Sequence, residues 1–144
     1  MNLPSTLTIY AGPIWVTLIT LAVYYGFMAN VLRVKLSLLR KYREDGKKFD
    51  RYFSQDPQML AADRTQLNML EHLLPFLALL WLHAWAVGPK EATALGAVYT
   101  GTRALYPLVL GGTLRLAAPK RILMITFTGY AVLGVMAARI AMAI

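Results

Sequence analysis

A cation, two amides and an anion interrupt an apolar run in Arg64-Thr65-Gln66-Leu67-Asn68-Met69-Leu70-Glu71, and three of them, Arg64, Asn68 and Glu71, are regularly spaced. Their i, i+4, i+7 spacing places a cation, an amide and an anion on one face of an α-helix. Leu67, Leu70, Leu73, Leu74 and Phe76 fill much of the remaining circumference. A second set, Tyr99, Arg103 and Tyr106, repeats the spacing further along. A guanidinium grips a carboxylate through two parallel hydrogen bonds. Arg64, Arg103 and Arg115 could therefore hold an anionic ligand, with Asn68, Gln66 and Tyr106 as hydrogen-bonding walls and Glu71 receiving an ammonium. A zwitterion with extra carboxylates would satisfy such a pocket. The competing reading is internal pairing, of Arg64 with Asp63 or Glu71 and of Arg103 with Glu71, which would only lock helices together.

The elements that must carry these residues are membrane helices. Of 144 residues, 58% are hydrophobic and 15% charged, and the mean hydropathy is +0.50. A soluble domain of this length is about a quarter charged. The apolar residues fall in four blocks, which predict helices over about 9–39, 58–87, 90–112 and 120–143 in a single domain, 1–144. Ile9 to Leu32 contains no charge and matches the roughly 20 apolar residues a spanning helix needs. Leu36, Leu38 and Leu39 extend that helix beyond the membrane. Asp45-Gly46 predicts a turn, Asp56 or Ser54 a helix cap with Pro57 in the first turn, and Pro75 a kink. Trp81 and Trp85 flank His83, which reads as an interfacial histidine, and Arg139 reads as snorkelling to the interface. In lipid a polar stripe must face protein or a water-filled cavity, so the two stripes are the candidate functional region.

Eight of the fifteen basic residues lie between Arg33 and Arg51. The cluster directly follows a membrane-length block, so it reads as a loop beside anionic lipid and not as a nucleic-acid surface. The Arg33–Arg51 and Arg115–Arg121 segments are basic and the connection at Lys90 is nearly neutral. The positive-inside bias then puts both basic loops in the cytoplasm and both termini outside, with the inner (cell) membrane as the expected location. The chain has no cysteine and only two histidines, His72 and His83. Thiolate and histidine metal sites are not expected, and any thiol chemistry must use a thiol carried by the substrate.

The order Arg64-Thr-Gln-Leu-Asn68-Met-Leu-Glu71, then His-Leu-Leu-Pro75-Phe76 and Leu80-Trp81, resembles the second-helix signature of the MAPEG family, the membrane-associated proteins in eicosanoid and glutathione metabolism. The resemblance continues through Ala94-Leu95-Gly96, Tyr99, Arg103 and Tyr106, and again at Leu114-Arg115-Leu116-Ala117. It implies an all-α integral membrane four-helix bundle, assembled as a homotrimer, that binds glutathione as co-substrate between adjacent subunits near the cytoplasmic face. By position, Arg64, Gln66, Asn68, Glu71, Arg103 and Tyr106 would contact glutathione. Glu71 would meet the glutamyl amine and the arginines its carboxylates. Arg33 would contribute from the next subunit, and Arg115 would stand beside the sulfur. A free thiol with a pKa of about 8.5 is mostly protonated at neutral pH, and a guanidinium favours the thiolate. The implied function is a glutathione-dependent transferase or peroxidase acting on lipophilic small molecules. The chain departs from the family pattern at Leu60, Ala61, His72 and Leu110. A non-catalytic membrane ligand-binding or scaffold protein of the same fold is the alternative. A small transporter is disfavoured because both stripes lie toward one side of the bilayer.

Overall fold

The computed structural model describes residues 5–53, 56–111 and 119–144. They form five α-helices and, among the described residues, no strand: α1 (Ser5–Ile9), α2 (Ala11–Glu44), α3 (Pro57–Ala86), α4 (Pro89–Leu110) and α5 (Pro119–Ala143). Among the described residues, three segments are long and apolar enough to cross a membrane: α2, α3 and Ile122–Ala143 of α5. In α4 the apolar content is diluted by Thr93, Tyr99, Thr100, Thr102, Arg103 and Tyr106. The side chains that weaken it as a lipid-soluble rod are the ones that give it a polar inner face.

The helix ends follow local chemistry. The first predicted helix divides at Tyr10, where the backbone (φ −94°, ψ 9°) leaves the helical range. Pro13 falls within the first turn of α2, where a missing N–H is harmless. At 34 residues α2 is about 51 Å long, well beyond the roughly 30 Å hydrocarbon core. It overshoots the predicted end and stops at Glu44, where Gly46 turns the chain at φ 68°. Asp56 caps α3 by accepting from the N–H groups of Gln58 and Met59, with Pro57 as the first helical residue. α3 runs unbroken through Pro75.

α3 and α4 pack on each other and both contact α2 and α5, so α2 and α5 flank opposite sides of the α3–α4 pair. The main core joins Val16, Phe76, Leu80, Tyr99, Val132 and Met136. A second cluster at one end joins Leu38, Phe49, Met59 and Ala62. Gly96 lets three helices close up, because a Cβ there would lie 2.8 Å from both Leu80 Cδ1 and Val16 Cγ1. Thr20 of α2 and Thr100 of α4 share a buried hydrogen bond of 2.7 Å, which satisfies both hydroxyls away from water.

The structure gives the two end-of-helix residues partners that spacing does not announce. His83 faces the bundle interior and is fully buried, with Nδ1 3.4 Å from the Met136 carbonyl and Nε2 3.5 Å from Glu91 Oε1. Arg139 does not simply snorkel. Its Nε and Nη2 both donate to Glu91, each at 3.0 Å. Glu91 at the start of α4 thus draws in His83 from α3 and Arg139 from α5.

Candidate functional site

Arg103 is the largest of the fully buried side chains, at 1% exposure. It projects from α4 between α3 and α5. Its Nη1 donates to Asn68 Oδ1 at 2.7 Å, and its guanidinium carbon stands 5.0 Å from the Tyr99 ring centroid. Tyr99 in turn stacks on Phe76, with centroids 4.0 Å apart and planes 12° apart. The ring pair is a wall that holds the cation against Asn68. From α5, Gly129 supplies the space: a Cβ there would lie 2.7 Å from Arg103 Nη2. Arg103 Nε and Nη2 are buried with no hydrogen-bond partner. Such groups are costly in a low-dielectric interior, so Arg103 retains donor capacity that the described residues do not use.

The expected stripe on α3 forms and splits by exposure. Asn68 is half-buried and faces Arg103, while Arg64 and Glu71 are exposed. The internal pairs weighed for them do not form. Asp63 is taken by Arg51, whose Nη1 and Nη2 donate to its two oxygens at 2.9 and 2.8 Å. Among the described residues, Arg64 and Glu71 make no salt bridge, and Arg103 pairs with Asn68 in place of Glu71. Tyr106 is buried, packed with Ala61 and Leu110 against Ile122 and Ile125.

Two other candidates lie elsewhere. Gln66 shares a face with Met59 and Ala62 by its i+7 and i+4 spacing, and those two pack on Leu38 of α2. Gln66 is therefore on the α2 flank of α3, away from the Arg64–Asn68–Glu71 stripe. Arg33 is exposed on α2 and donates to Asn30 Oδ1 at 2.9 Å. It lines a cleft of about 700 Å³ between α2, α3 and α4, together with Phe27, Ala62, Thr65 and Pro107. Arg115 lies outside the described residues. One chain thus gathers Arg64, Asn68, Glu71, Arg103 and Tyr106 toward its α5 side and carries Arg33 and Gln66 toward its α2 side.

Sequence reasoning missed one contact at this site. The Tyr130 hydroxyl of α5 lies 3.2 Å from His72 Nε2, with the rings edge to face at 5.0 Å. The Tyr99 hydroxyl also donates to the His72 carbonyl at 3.4 Å. His72 is four residues past Asn68 and so lies on its face, but nothing in the spacing announces which helix supplies its partner.

An apolar helical chain whose buried cation, amide and aromatic groups converge between α3, α4 and α5 is an integral membrane protein with an internal polar site. Residues 13–142 match the model of the MAPEG family. The chain belongs to that family, whose members are membrane proteins of glutathione and eicosanoid metabolism. No curated protein matches it.

Proposed function

We propose that the protein is a membrane glutathione-dependent transferase or peroxidase that activates the thiolate for attack on lipophilic electrophiles. The observation that carries this reading is the exposed Arg64 and Glu71, without a salt bridge among the described residues, on either side of the Asn68–Arg103 contact. A free cation and a free anion on a membrane-length helix call for a partner or a ligand. Arg64 and Glu71 are seven residues apart, about 10 Å along the helix axis. An extended tripeptide also spans about 10 Å. The glutamyl ammonium at Glu71 and carboxylates at Arg64 and Arg103 fit that spacing, and the unsatisfied Nε and Nη2 of Arg103 supply donors.

The two flanks explain why the site is a shared one. Arg33 and Gln66 lie toward the α2 side of their own chain, and they would complete the Arg64 stripe if the α2 side of one copy met the α5 side of the next. Unlike faces that meet in this way close into a ring when the rotation between copies closes, and a homotrimer of four-helix subunits would be such a ring. The largely apolar cleft beside Arg33 then gives a lipid-dissolved electrophile a place next to the bound thiol. In this reading the basic loops are cytoplasmic, both termini are outside, and the membrane is the inner one.

Glutathione enters as co-substrate, its sulfur forming a bond to an electrophilic carbon while the leaving group departs with the bonding pair. The chain's own work is to hold the peptide at Arg64, Asn68, Glu71 and Arg103 and to place Arg115 beside the sulfur. A cation there favours the thiolate, and each unit of pKa shift is about 1.4 kcal/mol.

The test is the ultraviolet difference absorbance of ionised sulfur on mixing the purified protein with glutathione. Wild type is expected to show the thiolate band. Arg115→Ala is expected to lose the band but keep binding, and Arg64→Ala to lose binding. Binding without any thiolate band in wild type would reassign the protein as a ligand-binding member of the fold. No binding would remove glutathione altogether.

A further inference from the structure

Outside the spans, the most exposed aromatic side chains are consecutive. Tyr52 and Phe53 are 87% and 86% accessible, more than Trp15 on the outer face of α2 at 64%. Phe49, three residues earlier, is buried. The loop is pinned, and the pins aim it. Phe49 packs on Leu38, six residues back from the end of α2, which is about 9 Å down the helix axis. Arg51 clamps Asp63, six residues into α3, again about 9 Å down. Asp50 Oδ1 accepts the backbone N–H groups of Tyr52 and Phe53 at 2.8 and 3.0 Å. The segment therefore folds back from the tips of the helices toward the membrane and carries two aromatic rings outward.

Its surroundings are cationic. Arg43, Lys47 and Lys48 line a hollow of about 530 Å³ with Leu39, Gly46 and Phe49. Three nearby acidic groups are engaged elsewhere, and exposed Glu44 and Asp45 are outnumbered by Arg40, Lys41, Arg43, Lys47 and Lys48. Asp50 holds the Tyr52–Phe53 turn, Asp63 holds Arg51, and Asp56 caps α3. Among the described residues Arg40, Lys41, Arg43, Lys47 and Lys48 make no salt bridge. The uncharged part of α2 ends at Leu32, so Leu38 stands about 9 Å past it. The headgroup layer adds roughly 5–7 Å on each side of the hydrocarbon, and residues 51–53 descend toward it.

We propose that the α2–α3 loop is an interfacial anchor: Tyr52 and Phe53 insert into the headgroup layer of their own leaflet, and the Arg43–Lys47–Lys48 hollow takes the phosphates of anionic lipids. Tyr and aromatic residues at the headgroup level and lysines beside an anionic leaflet are each favourable. Together they fix the height of the loop. The proposal does not depend on the glutathione reading.

Because the chain has no cysteine, Phe53→Cys gives a unique site for a nitroxide label. The full-length protein is reconstituted in phosphatidylglycerol-containing vesicles, and collision of the label with oxygen is compared with collision with a water-soluble nickel chelate. A label at 53 is expected to favour oxygen severalfold over a label at Glu44→Cys, and Tyr52→Cys is expected to behave like 53. In phosphatidylcholine alone, or with Lys47→Gln and Lys48→Gln, nickel access at 53 is expected to rise. A label at both 52 and 53 as open to nickel as at 44 would overturn the anchor. Unchanged access on removing the anionic lipid or the lysines would overturn the phosphate assignment. Both aromatic positions lie outside the core, so the labels leave packing intact.

Discussion

At the residue scale the decisive contact is Arg103 against Gly129. An arginine at 1% exposure in a membrane protein is tolerable only because Asn68 accepts from it, Tyr99 faces it, and Gly129 has no side chain. Gly129→Ala would put a Cβ 2.7 Å from Nη2, 3.2 Å from Cζ and 3.5 Å from Nε. The end of an arginine can usually swing aside, but here moving means giving up the Asn68 bond. The substitution is expected to cost about 1–3 kcal/mol, the usual range for overpacking, and to lower the thermal midpoint in detergent. Gly134→Ala is the control. Nothing lies within 4 Å of its Cβ position, and Ala exceeds Gly in helix propensity by about 1 kcal/mol, so it should be neutral or slightly stabilising. An equal loss in both variants would remove the role given to Gly129.

At the element scale, side chains set where helices stop and how loops fold. Asp50 gives a titratable example. The N–H groups of Phe53 and Tyr52 donate to its carboxylate and hold its pKa below the ordinary value, with Lys48 adding a smaller electrostatic pull. A lowered folded pKa means that the turn is supported above the unfolded value, about 3.9. That support is lost as pH falls through the lower folded value. The amide chemical shifts of Tyr52 and Phe53 are expected to titrate with a midpoint below 3.9, and Asp50→Asn should abolish the step. A midpoint at or above the unfolded value would contradict the turn. Much at this scale was legible in sequence. The uncharged run to Leu32 and the leucines after it marked an overshooting helix, and Asp56-Pro57 marked the next helix start. What was not legible was which helix lies beside which. Apolar periodicity shows that a face is buried but not against what, so His83 read as interfacial and Arg139 as snorkelling, although Glu91 engages both. The same gap hid Tyr130 beside His72. For the candidate site, the stripe and the opposite position of Gln66 were both readable from helical spacing, whereas the helix that lies beside Gln66 became clear only once Met59 and Ala62 were seen against Leu38.

At the scale of the whole molecule, the described surface mixes groups suited to lipid with groups that are not. Leu74 and Leu108 are each 77% exposed, which lipid accommodates, but exposed Arg64 and Glu71 are not groups for hydrocarbon. The incompatible surface lies on one flank, and Arg33 and Gln66, which the proposed assembly would bring to it from the next copy, lie on the other. Self-complementary patches would pair two copies about a two-fold axis, whereas two unlike flanks propagate around a ring. This difference can be read directly, again because the chain has no cysteine. A double variant, Arg33→Cys with Arg64→Cys, is expected to give with a short bismaleimide a ladder on denaturing gels that ends at three chains. Arg33→Cys alone and Arg64→Cys alone should give no ladder, because each then lacks the residue it would meet. Mixing the two single variants before reconstitution should restore a dimeric band, which a link within one chain cannot produce. If only the Arg64→Cys variant cross-links, and stops at two chains, like flanks meet like. Arg33 then has no place in the site, and Arg64, Asn68, Glu71 and Arg103 must bind their ligand without it.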